Sequence, residues 1–144
     1  MKPKELIKIW VELFNQGNSE KISELYHENA VNHQVANDPI EGKQNIYKMF
    51  CNDFSKAEMV CIVENIYEDG EWGILEWKDP KGLRGCGFFN VIDGKIKFQR
   101  GYWDKLTFLK LNNLPIDNIQ EKDVLESLET INKKFGKVLK KLGE

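Results

Sequence analysis

The sequence has no apolar run near the about twenty residues that a membrane-spanning helix needs. Its first residues are polar and carry no apolar signal-peptide core, so the expected location is cytoplasmic. Cysteine is scarce and odd in number: Cys51, Cys61 and Cys86 lie far apart, which excludes a disulfide framework and leaves free thiols as the expectation. With two histidines, His27 and His33, and these dispersed cysteines, no ligand spacing for a metal is present. There is no glycine-rich phosphate cradle, so no nucleotide cofactor is expected. The net charge of −2 gives no concentrated basic face, which excludes nucleic acid as a main partner. Its one basic cluster, Lys133, Lys134, Lys137, Lys140 and Lys141, is interleaved with apolar residues and reads as the solvated face of a helix.

What remains is a globular chain of 144 residues, long enough for a core without covalent staples. Leu6, Ile9, Trp10, Leu13 and Phe14 mark one face of an amphipathic helix. Gly17-Asn18 stops it, and Asn18 or Ser19 caps a second short helix with Ile22, Leu25 and Tyr26. Residues 30–35 read as a strand, and Ile46, Tyr47, Met49, Phe50 and Phe54 mark a third helix.

The pattern then changes. Asp69-Gly70, Asp79-Pro80-Lys81-Gly82 and Asp93-Gly94 are turn signals between alternating runs. They predict four antiparallel strands near 57–68, 71–79, 83–92 and 95–108. Helices followed by a meander predict an α+β domain, with N-terminal helices packed on a curved antiparallel sheet. The domain is placed at 1–112. A helical extension at 113–144 carries a stripe of Val124, Leu128, Ile131, Phe135, Val138 and Leu142, widened by Leu125 and Leu139. That helix packs either on its own domain or at a dimer interface.

The Asp93-Gly94 turn, continued in uniform register, sets Val91 against Ile96, Phe89 against Phe98, Gly87 against Arg100 and Gly85 against Tyr102. One face then carries Phe89, Val91, Ile96 and Phe98, and continues as Arg100, Tyr102 and Asp104. An apolar face turning polar opposite two glycines reads as a pocket wall. Arg100 on that face needs a partner; Glu76 is the nearest candidate, but the turn at 79–82 leaves its face open by one residue. The other face, with Cys86, Phe88, Ile92 and Trp103 among polar residues, suits an interface between two copies of the chain.

This order of elements resembles the nuclear transport factor 2-like superfamily, and within it the SnoaL-like group that includes polyketide cyclases and ketosteroid isomerase-like proteins. Three segments carry the likeness: Tyr26-His27-Glu28-Asn29-Ala30-Val31-Asn32-His33, Ile40-Glu41-Gly42-Lys43-Gln44-Asn45-Ile46, and Asp93-Gly94-Lys95-Ile96 followed by Arg100-Gly101-Tyr102-Trp103-Asp104. The resemblance implies a cone with a pocket at its open end and dimerisation through the outer sheet face. It implies a small hydrophobic, oxygen-bearing ligand and cofactor-free isomerase, cyclase or hydrolase chemistry; the alternative is a non-catalytic ligand-binding or dimerisation module.

On that footing Asp104 is the candidate general base, its pKa raised by an apolar pocket. Tyr102 and Arg100 would hold a developing oxyanion, and His33 would carry a proton. Trp10, Phe14, Tyr47, Phe50, Trp72, Glu76, Gly87, Phe89 and Phe98 would line the ligand site. The chain departs from its kin where they carry chemistry. Gln34 stands near the place of the isomerase base, and Gly87 near that of its second carboxylic acid. Trp77-Lys78-Asp79 replaces the arginine-bearing motif of the epoxide hydrolases.

Overall fold

A computed structural model describes residues 1–116 and 128–136. The chain divides into two compact units, Met1–Asn112 and Asn113–Glu144. In the second, residues 128–136 form a helix on which Leu128, Ile131 and Phe135 are exposed. The other stripe positions, Val124, Leu125, Val138, Leu139 and Leu142, lie outside the described residues.

The first unit begins with helix α1 (Pro3–Asn15), in which proline fills the first turn, where its missing N–H costs nothing. Helix α2 (Ser19–Ser23) is capped by Asn18, whose side chain accepts from the Lys21 N–H. Strand β1 (Tyr26–Gln34) follows, longer than predicted, so Tyr26 starts a strand and does not end a helix. A two-residue β2 (Ile40–Glu41) leads into α3 (Lys43–Lys56). The meander is then β3 (Ile62–Asp69), β4 (Trp72–Lys78), β5 (Arg84–Ile92) and β6 (Lys95–Trp103). Asp104 caps a last helix, α4 (Lys105–Leu111), which shortens the predicted fourth strand.

The strands make one curved, unclosed sheet in the order β2-β1-β6-β5-β4-β3. It is mixed, because β1 runs parallel to β6 while the meander pairs are antiparallel. The α+β class holds. Leu6, Ile7, Trp10 and Val11 of α1 and Ile46 and Phe50 of α3 bury against Leu75, Phe89, Val91 and Ile96 of the sheet. Each such side chain contributes about 1.5–3 kcal/mol of burial.

The hairpin at Asp93-Gly94 has positive φ at both turn residues, 51° and 77°, as a type I′ turn requires. The register it sets does not persist. Ile92 pairs with Lys95 and Val91 with Ile96, but Asn90 pairs with Phe98 and Phe89 with Gln99. Strand β6 carries one extra residue, Lys97, and beyond this bulge every side chain changes face. Gln99, Gly101 and Trp103 therefore take the inner parity, while Phe98, Arg100 and Tyr102 turn outward.

Candidate functional site

The bulge moves the predicted pocket wall to the other side of the sheet. On the outer face Trp72 meets Phe98 edge-on at 6.3 Å, Arg100 lies over the Phe98 ring at 4.8 Å, and Phe88 meets Tyr102 at 5.9 Å. Trp72 is 42% and Tyr102 43% exposed. His33 pairs with Arg100 across the parallel ladder and shares its face. Glu76 is exposed and accepts from Asn65 Nδ2 at 2.7 Å, while Arg100 joins no ion pair among the described residues. Its buried Nε has no hydrogen-bond partner. Tyr47 stands beside Cys51, away from the Ile46–Phe50 stripe that α3 buries. The lining assigned to Tyr47, Trp72, Glu76 and Phe98, and the inward roles of Arg100, Tyr102 and His33, are corrected accordingly.

Asp104 is corrected on its chemistry as well. Its carboxylate accepts from the Thr107 hydroxyl and, at 3.2 Å, from the Thr107 N–H. These bonds hold its pKa below the ordinary aspartate value. A solvated cap ionised at low pH lacks the raised pKa a pocket base needs.

Trp10, Phe14, Phe50, Gly87 and Phe89 do sit on the inner side. Trp10 stacks on Phe14 at 5.0 Å and meets Phe89 edge-on at 5.3 Å. The glycines opposite them are not open space. A Cβ on Gly87 would lie 3.2 Å from the Phe89 ring, and the Trp77 indole covers Gly85. At Gly101 the Gln34 side chain fills the gap.

Polar side chains run through this apolar interior. Trp10 Nε1 donates to the Tyr26 hydroxyl at 3.0 Å, and Tyr26 donates to Gln99 Oε1. Asn32 Nδ2 donates to Tyr26 at 3.4 Å and to Gln99 Oε1 at 3.3 Å. Gln34 Nε2 donates to Asn32 Oδ1 at 2.7 Å, and Trp103 Nε1 to Gln34 Oε1 at 2.9 Å. Tyr26 is fully buried, Asn32 1% and Gln99 3% exposed. Burial pushes the Tyr26 pKa well above the ordinary tyrosine range, against its bonds from Trp10 and Asn32, so the hydroxyl keeps its proton.

Helix α3 also carries a half-buried carboxyl group. Asp53 lies one turn beyond Met49 and Phe50, on the stripe begun by Ile46. Burial pushes its pKa up to about 6, with Lys56 pulling weakly the other way. No hydrogen bond reaches its carboxyl among the described residues. Asp53 had a sequence signal, as the fourth member of an i, i+3, i+4, i+7 series. Asn32 and Gln34 had one in their alternation with Ala30 along β1. Gln99 had none, because Lys97 hides its parity.

Among the described residues a groove of about 480 Å³ lies at the ends of α1 and α3, lined by Asn15, Gln16, Gly17 and residues from Phe54 to Met59. None of the predicted site residues lines it. It also lacks the buried polar groups of the interior network. No group of histidine, cysteine and carboxylate side chains suited to a metal occurs among the described residues.

Residues 7–99 match the model of the SnoaL-like domain family. No curated protein matches the chain. Among solved structures, the epoxide hydrolase/cyclase-like enzyme SalBIII, of pyran ring formation in the polyether salinomycin, is 22% identical with a TM-score of 0.64. That match covers 72% of this chain and 92% of SalBIII. An NTF2-like protein of unknown function from Cytophaga hutchinsonii is 18% identical over 76% of this chain and 96% of its own, also with a TM-score of 0.64. At such identities these likenesses speak for the fold, and with the family match they place the chain in the SnoaL-like family of the NTF2-like superfamily.

Proposed function

We propose that this protein binds a small hydrophobic, oxygen-bearing molecule inside the cone and performs a cofactor-free proton transfer on it, as an isomerase, cyclase or hydratase. The observation that carries this reading is the polar row Tyr26–Gln99–Asn32–Gln34–Trp103, buried at Tyr26, Gln99 and Asn32 and half-buried at Gln34 and Trp103, beside an apolar core. A core selected for stability alone replaces such groups with packed aliphatics, because each leaves desolvation to be offset. Asp53, on the Ile46–Phe50 stripe of α3 and with its pKa pushed up by burial to about 6, is the candidate titrating group. The epoxide hydrolase/cyclase-like description of SalBIII agrees with this class of chemistry. A thermal-shift screen of apolar ketones, enones, lactones and epoxides tests it. A bound ligand at about a hundred times its Kd adds roughly 2.7 kcal/mol, several degrees in Tm. A panel in which no compound moves Tm or tryptophan fluorescence overturns the reading.

The outer face supports a second role, as the interface of a homodimer. Tryptophan, tyrosine and arginine are the residues that carry binding energy at interfaces, and here Trp72, Tyr102 and Arg100 stand together with Phe88 and Phe98. Sedimentation should show a dimer that Arg100→Glu converts to monomer. A wild-type monomer at about 100 μM counts against it.

A further inference from the structure

The chain has only two arginines, Arg84 and Arg100; its other basic side chains are lysines and two histidines. Both arginines stand on the outer face of the sheet, Arg84 on β5 and Arg100 on β6. Arginine differs from lysine in its planar fork, which grips a carboxylate through two parallel N–H bonds. Arg84 uses that fork. Its Nε donates to Glu64 Oε1 at 3.0 Å and its Nη2 to Glu64 Oε2 at 2.5 Å. Arg100 has the same fork and joins no ion pair among the described residues. Its Nε is the one buried side-chain nitrogen or oxygen there without a hydrogen-bond partner. Such a donor is costly until an acceptor reaches it.

A carboxylate of the right placement lies on the same face. Glu76 is exposed on β4; Asn65 Nδ2 donates to its Oε1, and no cation pairs with it among the described residues. Arg100 lies opposite Phe88, and Phe88 opposite Ile74; Tyr102 lies opposite Cys86, and Cys86 opposite Glu76. The two charges are thus two strands and two residues apart, about 12 Å between Cα atoms. Their midpoint falls on β5 between Cys86 and Phe88. Strand β5 is the middle one of the five long strands β1-β6-β5-β4-β3. A two-fold axis in the plane of an interface, over that midpoint and perpendicular to the line joining the charges, carries each onto the place of the other. Asp69 shares this face but sits at the end of the edge strand β3, away from its centre.

We propose that the outer face packs on a second copy of the chain in this register, with Arg100 forked onto Glu76 of the partner subunit and Glu76 onto the partner's Arg100. This rests on the reading of the outer face as a homodimer interface and adds the pair that sets its register. A small turn of the guanidinium over the Phe98 ring presents the Nε edge, and the aromatic surround then keeps water from both ion pairs.

Sedimentation of the full chain gives the dimer Kd of wild type, Glu76→Arg, Arg100→Glu and the double variant. Each single change sets like charges face to face in both pairs and should raise Kd at least about thirtyfold. The double variant restores opposite charges and should return to within about fivefold of wild type. Asp69→Arg is the control and should change Kd less than about threefold. In NMR spectra the two arginine Nε–H signals should both be downfield and slow to exchange in the dimer. In Glu76→Gln the Arg100 signal should lose that protection while the Arg84 signal keeps it. A dimer indifferent to Glu76→Arg, a double variant as weak as the single ones, an Asp69→Arg effect equal to that of Glu76→Arg, or an Arg100 signal unchanged in Glu76→Gln overturns the pairing and leaves the interface reading. A wild-type monomer at about 100 μM removes both. Glu76 is exposed, so its variants and the spectra decide the matter even if Arg100→Glu does not fold.

Discussion

Asp53→Asn is expected to stabilise the protein at neutral pH by about 2 kcal/mol, roughly 5 °C in Tm. The Asp53 pKa is pushed up from 3.8 to about 6 by burial on the inner stripe of α3. A folded state that holds its proton more tightly than the unfolded chain is favoured at low pH. Below the unfolded value both states are protonated and the group is neutral to stability. Between 3.8 and about 6 the unfolded chain loses its proton while the folded one keeps it, and stability falls as pH rises. Above about 6 the full penalty remains, because the folded state must carry a half-buried carboxylate with only Lys56 to lower its pKa. The position in the last turn of α3 adds to this, since a helix C-terminus disfavours negative charge. Thermal melts from about pH 4 to 8 should converge for wild type and variant at the acid end and separate at the neutral end. Parallel curves, or a variant less stable at neutral pH, would remove Asp53 from the interior. A stabilised variant that has also lost turnover is the outcome expected of a carboxyl kept for chemistry.

Gly85→Ala is expected to destabilise by about 3 kcal/mol, lowering Tm by roughly 10 °C. A Cβ at this position would lie 2.5 Å from Trp77 Cζ2 and 2.6 Å from the Tyr102 carbonyl oxygen. The indole can rotate only by leaving the inner face of β4. The carbonyl oxygen belongs to the backbone of β6, which pairs with β5 at Gly85↔Trp103 and Cys86↔Tyr102. Relief therefore means prising β5 from β6, the strand that carries Gln34's partner Trp103. Chemical denaturation of the variant checks the figure, and an unchanged midpoint would mean that the close approach is not real. The cause is contact, because Gly85 does not have the left-handed φ that Gly42 and Gly94 adopt.

Most of the architecture was legible because α1, α2, α3 and the meander strands have local signals, whereas β2, α4 and the parallel pairing of β1 with β6 had none. Helical spacing marks α1 and α3, and the turn residues mark the ends of every strand in the meander. Fold class follows from the order of such signals alone. The site was less legible because it depends on a count. The Asp93-Gly94 turn is specified by its own two residues, but Lys97 bulges for reasons that no residue near it announces. Face assignments up to Ile96 were right, and those from Phe98 onward were inverted together. Asp104 failed separately: capping and catalysis both want a carboxylate just past a strand, and Thr107 three residues on decides for the cap. Trp10, Phe14, Phe50 and Phe89 were placed inside correctly because helical stripes and the part of β5 nearest the turn do not depend on the bulge.

The extra residue at Lys97 also bears on how such a chain can change. Substitutions alter one side chain at a time, whereas loss of one residue at the bulge would exchange two whole sets. Phe98, Arg100 and Tyr102 would turn toward the helices, while Gln99 and Trp103 would turn toward solvent. Two opposite sets of side chains are thus stored as alternate readings of one strand, separated by one codon. In a lineage that gains or loses that codon, both faces of the sheet would change at once by inversion of the strand and not by substitution one residue at a time.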